Sequence, residues 1–215
     1  MKRCTLGLAI CAAGIFGAIR VDASTIYSTF GPGQTYDSSN YLITGSGSTG
    51  YYGIAAPFQP SATGNFLNID LALGYLGSGT DSANIILASD NAGLPGTAIE
   101  TIAISGVSGA GSVFTYNSVL NPLLSSGTKY WIELMPTSPA NTGILWHLNS
   151  IGAVGVAEAQ SYGGNWFYQS TGGFNPPAFD INSTASSATP EPSTLFSMLG
   201  GTLVLAGARS LKKRT

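Results

Sequence analysis

The chain has 215 residues and a formal net charge of −2, and only 8% of its residues are charged, compared with about 25% in an ordinary soluble domain. Hydrophobic residues make up 44% of the chain, which excludes an intrinsically disordered protein. The bases lie almost entirely at the two ends, so residues 24–189 contain one lysine and eight acids and carry a net charge of −7. A surface of this sign repels phosphate backbones, and nucleic-acid binding is therefore excluded.

The first 23 residues predict a secretory signal peptide. Two bases precede an apolar stretch over residues 4–19, and a short motif of small residues ends at Ala23. We expect cleavage between Ala23 and Ser24, with an uncleaved N-terminal anchor as the alternative. Both cysteines lie in this segment, so the remainder of the chain has no disulfide framework and no cysteine-based metal site.

Residues 24–181 predict an all-β body. Apolar and polar residues alternate along short segments that are separated by turn residues, and no segment has helical periodicity over three turns. We therefore predict an antiparallel two-sheet sandwich, jelly-roll-like, of about ten strands. Residues 182–189 have the composition of a flexible linker. The segments with strand patterns are 51–58, 65–76, 83–89, 97–104, 112–119, 129–134 and 142–148.

Two loop motifs in the body resemble functional sequences but predict ordinary turns. Residues 94–98 read LPGTA, like a Gram-positive sortase site, but no apolar span follows, and we predict a turn at Pro95-Gly96. Residues 90–93 and 79–84 supply oxygen atoms that suit calcium. Neither segment has ligands at the alternating positions of a regular calcium loop, so an Asx-type turn is the prediction at residues 90–93.

The body offers few residues for catalysis. His147 is the only histidine and follows a tryptophan in a predicted strand, so neither a histidine-based zinc site nor a Cys-His nucleophile is expected. Gly45, Gly47 and Gly50 have the spacing of a dinucleotide-binding loop, but a strand-like segment follows where that motif requires a helix. The acids are spread singly, and a glycosidase pair is not visible in such a pattern. We expect no catalytic residue, no cofactor and no bound metal.

Aromatic residues are the remaining candidates for ligand contact. Trp131 and Trp146 lie in predicted strands and are expected in the core. Residues 163–173 place three rings between glycine pairs, which indicates an exposed hairpin in which at least one ring packs on the body. Trp166 and Tyr168 are the candidate glycan contacts, because sugar rings stack on aromatic faces.

Residues 190–215 predict a sorting signal with a single hydrophobic helix. The run from Leu195 to Ala208 has 14 uncharged residues, and at ~1.5 Å per residue it spans ~21 Å, short of a ~30 Å hydrocarbon core. Bases at the end of the chain favour a cytoplasmic tail and place the body outside the cytoplasm. These bases are Arg209, Lys212, Lys213 and Arg214.

The tripeptide Pro190-Glu191-Pro192, followed by this helix and basic cluster, resembles the PEP-CTERM sorting domain. The match covers about residues 189–214, and a signal peptide accompanies it. The resemblance implies processing by an exosortase, a transpeptidase-like membrane enzyme of Gram-negative bacteria that produce exopolysaccharide. It also implies that the tail is cut near the motif and that the body passes to the surface or the extracellular matrix.

The body resembles a second family, the choice-of-anchor R domains, over most of residues 25–181. The similarity rests on an Asp-x-x-Gly-x-Pro-Gly segment at Asp90–Gly96, on Tyr130-Trp131 in a later strand, and on the late NWFY at residues 165–168. The resemblance implies a β-sandwich on a bacterial surface protein and no particular catalytic activity.

Taken together, these patterns predict an exported, non-catalytic protein that is structural or adhesive in an exopolysaccharide or biofilm setting. Its expected partners are an exosortase, the membrane before processing, and an extracellular polysaccharide. Two alternatives stay open at this point: a carbohydrate-binding module that uses Trp166 and Tyr168, and a secreted glycoside hydrolase or lyase.

Overall fold

The computed structural model describes residues 23–46, 50–77, 81–137, 142–154, 158–160, 166–168 and 175–185. Thirteen strands and no helix occur among them, and the strand pairs are antiparallel. The prediction of an all-β antiparallel fold is therefore confirmed. The strands are β1 (Ala23–Ser28), β2 (Tyr36–Ser46), β3 (Gly50–Phe58), β4 (Gly64–Tyr75), β5 (Ala83–Asn91), β6 (Leu94–Ile104), β7 (Ser112–Asn117), β8 (Leu123–Leu124), β9 (Tyr130–Pro136), β10 (Gly143–Asn149), β11 (Glu158–Gln160), β12 (Trp166–Tyr168) and β13 (Phe179–Ala185).

The seven segments with strand patterns fall in β3, β4, β5, β6, β7, β9 and β10, so period-two alternation identified them correctly. Thirteen strands exceed the predicted ten or so, and the short β8, β11 and β12 are two or three residues long. The predicted signal peptide, apart from Ala23, lies outside the described residues, as do the sorting motif, the C-terminal helix and the basic tail. Within the described part of the chain, no helix is long and apolar enough to cross a membrane.

Strand β4 is the most connected strand of the fold. Along its length it pairs with β13 and then β10 in the main strand order, and it also pairs with β7 and β8. Its residues Ile69, Leu71 and Leu73 are fully buried in the core, and Asp70 lies on the opposite face. Partner strands on both edges of β4 satisfy its backbone N–H and C=O groups, so the strand can be buried without unpaired polar groups.

The strands follow one continuous order, β1-β13-β4-β10-β2-β3-β9-β5-β6. The hairpin between β2 and β3 joins the half that contains β4 to the half that contains β9, since β3 pairs with β2 at its start and with β9 further along. Apolar side chains from both halves belong to one core cluster. We call the face of each half that is turned away from this core its outer face.

Phe179 on β13 is one of the rings at which the two halves meet. It is fully buried and lies 6.2 Å, centroid to centroid, from Phe58 on β3, and 5.2 Å from Tyr27 on β1. Trp146 on β10 is 5.9 Å from the same ring and is also fully buried. The expectation that Trp146 fills the core is confirmed, and Trp131, at 1% exposure, is buried as well.

Strands β1 and β13 pair at one end of the strand order, with Ala23 opposite Thr184. The predicted linker over residues 182–189 is therefore wrong for residues 182–185, which continue β13. Ser183 is fully buried, and Asn182 accepts a hydrogen bond of 2.7 Å from the Thr25 hydroxyl. Residues 182–185 are mostly small and polar, as in a flexible linker, and this composition led to the linker prediction.

The turn between β5 and β6 also differs from the prediction. It lies at Ala92 and Gly93, which have φ of 53° and 90°, and Pro95-Gly96 belongs to β6. Two central residues with positive φ match the right-handed twist of a two-residue hairpin. The register of the β5–β6 pair shifts between Ala88 and Asp90, and this irregularity accommodates the proline within β6.

The buried ring of Phe179 predicts a large loss of stability on truncation. We expect Phe179→Ala to lower the free energy of unfolding by about 3–5 kcal/mol, because it leaves a cavity among three other rings. Phe167→Ala is the matched control; its ring is 42% exposed, and a loss below about 1 kcal/mol is expected. Urea unfolding of both variants measures the difference, and equal losses would contradict the shared core.

Candidate functional site

Three side chains with charged or hydrogen-bonding groups lie at alternate positions along the outer face of β9. Lys129, which immediately precedes β9, Trp131 and Glu133 lie on this face, because Tyr130, Ile132 and Leu134 point into the shared core. Trp131 packs with alanines of β3 and β5 in a separate small cluster. The strand is thus buried on both faces, and its outer face brings a base, an indole and a carboxylate into one row.

Asp90 on β5 links this row to the β5–β6 hairpin. Its Oδ1 accepts a hydrogen bond of 2.9 Å from the Trp131 indole N–H, and its Oδ2 accepts one of 3.1 Å from the Gly93 backbone N–H. The second contact reaches the residue three positions on, whereas an Asx-turn would bond the residue two positions on, so the predicted Asx-type turn is replaced by a side-chain bond that closes the β5–β6 turn. The Trp131 hydrogen bond is the main cause that lowers the pKa of Asp90, with Gly93 and the Lys129 ammonium, 4.0 Å away, adding to it. Asp90 therefore stays ionised, and its oxygens are committed to protein donors.

A polar cleft of about 420 Å³ lies beside this hairpin. Gly96 lets β6 approach β5 closely here, because a Cβ at this position would come within 2.8 Å of the Ser89 hydroxyl and 3.0 Å of the Ser89 carbonyl oxygen. The lining presents hydroxyl, amide and carboxylate groups, which are the groups that bind sugar hydroxyls. The cleft is lined by Ser89, Asp90, Asn91, Pro95, Gly96 and Thr97.

A second cleft, of about 350 Å³, lies on the other side of Lys129. Tyr27, Pro57, Phe58 and Gln59 complete its lining. The Tyr27 ring is 5.6 Å from that of Phe58, and burial raises the pKa of its hydroxyl, which keeps the group neutral. Lys129, the only base between Ser24 and Thr189, thus reaches both Asp90 and this cleft.

Glu133 occupies an apolar position further along β9. Its Cα is paired with Ala55 on β3 and with Ile86 on β5, and its side chain is 6% exposed. No hydrogen bond or ion pair to its carboxylate occurs among the described residues. Burial alone raises its pKa to about 7, so this side chain changes charge near neutral pH.

The two predicted glycan contacts lie on β12, which pairs with β11 beside β3. Trp166 is partly buried and packs against the cluster of Ala55, Ala88 and Trp131, so at least one ring of this hairpin packs on the body as expected. Phe167 is the exposed ring, at 42%. The side chain of Tyr168 lies outside the described residues. Alternation along a strand, rather than ring size, decides which of these rings faces solvent.

His147 is buried and has no catalytic partner among the described residues. Its Nε2 lies 3.0 Å from the Ala110 carbonyl oxygen, and the Tyr36 ring is 5.1 Å from the imidazole. Within the described ranges, no group of three or more histidine, cysteine, aspartate or glutamate side chains is placed to hold a metal. The arrangement with the most ligand-binding chemistry is therefore the pair of clefts on either side of Lys129.

Comparison with known proteins does not identify a family for this chain. No protein-family model matches the chain, and no curated protein is similar to it. The two family resemblances thus stay predictions, and the clefts are interpreted from their own residues.

The raised pKa of Glu133 predicts a specific dependence of stability on pH. In the unfolded chain this group titrates near 4.5 and in the folded chain near 7, so between these values the folded state holds a proton that the unfolded state has lost. Stability should therefore fall as the pH rises from about 4.5 to 7, by about 1.4 kcal/mol per unit of pKa difference. We expect Glu133→Gln to flatten this fall in urea unfolding measured across that range.

The control for this experiment is Asp37→Asn. Asp37 is exposed, and the hydrogen bond from the Ser39 backbone N–H lowers its pKa, so its titration lies below the range measured. Parallel pH profiles for the wild-type chain and Glu133→Gln would show that Glu133 does not titrate in this range.

Proposed function

We propose that this chain is an exported, non-catalytic protein of the cell surface or extracellular matrix of a Gram-negative bacterium, processed at both ends. The observation that carries the proposal is the pairing of β1 with β13, which puts Ala23 opposite Thr184. The predicted signal peptide ends at the first residue of β1, and four residues separate the end of β13 from the predicted sorting segment. Removal of both ends therefore leaves the pairing of the two strands almost complete.

The sorting motif is suited to recognition by a membrane-bound exosortase. Pro190 and Pro192 fix their own φ and disfavour helix in the residues before them, so we expect an extended motif ahead of the apolar run. Before processing, the apolar run from Leu195 to Ala208 holds the chain at the membrane, with its basic tail on the cytoplasmic side. After processing, the body is free to enter an exopolysaccharide matrix, where it has a structural or adhesive role.

The proposed architecture of the body is a jelly-roll-like sandwich of two sheets, as in the choice-of-anchor R domains that the sequence resembles. Support comes from the single core shared by the two halves of the strand order and from the ring contact between Phe58 and Phe179. In such a body β2 and β3 pair with each other where the two halves join, so neither strand presents a free sheet edge there.

Processing at both ends predicts the mass of the native protein. We expect protein recovered from the cell surface and the medium to extend from Ser24 to a C-terminus near Pro190, as measured by intact mass spectrometry. Replacement of Pro190, Glu191 and Pro192 by alanine should leave a chain that retains the tail and stays in the membrane fraction. A native mass that includes Thr215 would refute the exosortase proposal and leave a tail-anchored membrane protein.

Carbohydrate binding is the second candidate function, and it is favoured by two clefts that the Lys129–Asp90 ion pair connects, since Lys129 lines one and Asp90 the other. One cleft offers hydroxyl, amide and carboxylate groups, and the other offers an aromatic ring and the Gln59 amide. The Lys129 side chain is 43% exposed, so its ammonium is accessible to a ligand. Because the body carries a net charge of −7, which repels polyanions, a neutral polysaccharide fits these clefts, with the Lys129 ammonium donating a hydrogen bond to a sugar oxygen.

This candidate predicts that one base controls binding. We expect Lys129→Gln to weaken binding to a neutral glucan about tenfold, because one charge-assisted hydrogen bond is lost. Lys129→Arg is the matched control and should retain binding. Isothermal titration calorimetry measures both effects, and unchanged affinity in Lys129→Gln would exclude this site.

A further inference from the structure

Two acids face each other on the outer face of the β4–β13 pair. Asp70 on β4 and Asp180 on β13 are direct partners in the register of the two strands, and their exposures are 8% and 7%. Like charges that lie directly opposite on antiparallel strands are destabilising, and burial strengthens their repulsion. The pair therefore requires a compensating group.

Asp70 accepts three hydrogen bonds, all from neutral donors. Its Oδ1 accepts a hydrogen bond of 2.5 Å from the Thr115 hydroxyl. Its Oδ2 accepts hydrogen bonds from the Gln34 amide at 3.2 Å and from the Asn182 amide at 3.1 Å. These donors bring no positive charge to the pair, and the two carboxylate oxygens keep room for a further ligand.

Asp180 differs from Asp70 in one decisive respect. Its Oδ1 is shielded from solvent and has no hydrogen-bond partner. A buried oxygen of this kind is rare in folded proteins, because an unsatisfied polar atom costs roughly 1–3 kcal/mol and more when it is charged. Burial, with the charge of Asp70 acting in the same direction, raises the pKa of Asp180, while the Ser28 and Gln34 side chains oppose the change.

No base is placed to neutralise the two acids. Lys129 is the only base between Ser24 and Thr189, and its ammonium lies 4.0 Å from Asp90 in the other half of the strand order. The surrounding side chains offer only hydroxyl and amide groups, with no sulfur or imidazole ligand among the contacts of the pair. Oxygen donors of this kind bind hard divalent cations.

We propose that Asp70 and Asp180 together hold a divalent cation, with calcium preferred, between β4 and β13. The free Oδ1 of Asp180 is the first ligand, and Asp70 supplies the second carboxylate. The Gln34 amide reaches the pair from a loop, and rotation of this amide turns its oxygen toward the ion. Calcium suits an irregular set of carboxylate, amide and hydroxyl oxygens better than magnesium, which demands a near-ideal octahedron.

A shared proton is the competing occupant of the same place. A protonated Asp180 would donate a hydrogen bond to Asp70 and satisfy both groups without a metal. The two occupants differ in one measurable property, because only the cation makes stability depend on calcium concentration at constant pH and ionic strength.

The test uses the full-length chain in detergent, freed of metal with a chelator and then titrated with calcium chloride at pH 7. We expect a melting temperature that rises by about 3–10 °C at about 10 mM calcium, with a dissociation constant of about 10⁻⁴–10⁻³ M from calorimetry. Chelator should reverse the rise, and magnesium at the same concentration should give a smaller one. Terbium, with luminescence sensitised by protein aromatic rings, provides a second readout of binding.

Two variants and one control complete the test. Asp180→Asn preserves the shape of the side chain and should abolish the calcium response, as should Asp70→Asn. Asp37→Asn, which removes an exposed acid on β2, should keep the full response. The proposal is overturned if the wild-type chain shows no calcium-dependent shift, or if Asp180→Asn responds as the wild type does. A metal-independent gain of stability in Asp180→Asn at pH 7, with no calcium response in either chain, would assign the site to a shared proton.

Discussion

The scarcity of positive charge is the constraint on which much of this structure depends. With a single base between Ser24 and Thr189, the acids of the body cannot be neutralised by ion pairs, and Lys129–Asp90 is the only ion pair among the described residues. Most of these carboxylates are stabilised instead by neutral N–H and O–H donors. Such charge-assisted hydrogen bonds are about twice as strong as those between neutral groups. The acids served in this way are Asp37, Asp70, Asp81, Asp90 and Glu100.

These carboxylates also determine the shape of the loops. Glu100 on β6 is 3% exposed and accepts hydrogen bonds from the Ser118 hydroxyl and from the backbone N–H groups of Val119 and Leu120, so it holds the loop between β7 and β8. Asp81 accepts a bond from the Gly106 backbone N–H and holds the loop after β6. In a body without cysteine, acceptor carboxylates thus fix connections that disulfides fix in many other small domains.

The sequence predicted the strands with a sustained alternation of apolar residues, and it missed the second half of β13, where Ser183 takes a buried position that an apolar residue would mark. Strand β13 has Asp180, Asn182 and Thr184 on its outer face, and this composition favoured a linker. Pro95-Gly96 favoured a turn on residue type alone, whereas the twist of the hairpin placed the turn at Ala92 and Gly93. Local pattern identifies a strand and its faces, but the choice of partner strand depends on contacts between distant segments.

The same limit applies to the sites. Asp70 and Asp180 lie on strands far apart in the chain, so their pairing could not be read from spacing, and the indole contact of Asp90 depends on β5 and β9 being neighbours. Asp180 and Glu133 stand apart from the other acids, because burial is the leading cause that raises the pKa of each. Five carboxylates of the body accept hydrogen bonds from neutral donors, so a buried carboxylate without adequate donors marks a place where folding stability was given up for another purpose. At Asp180 the free oxygen belongs to a carboxylate that is paired in register with a second one, and the proposed cation accounts for both features together.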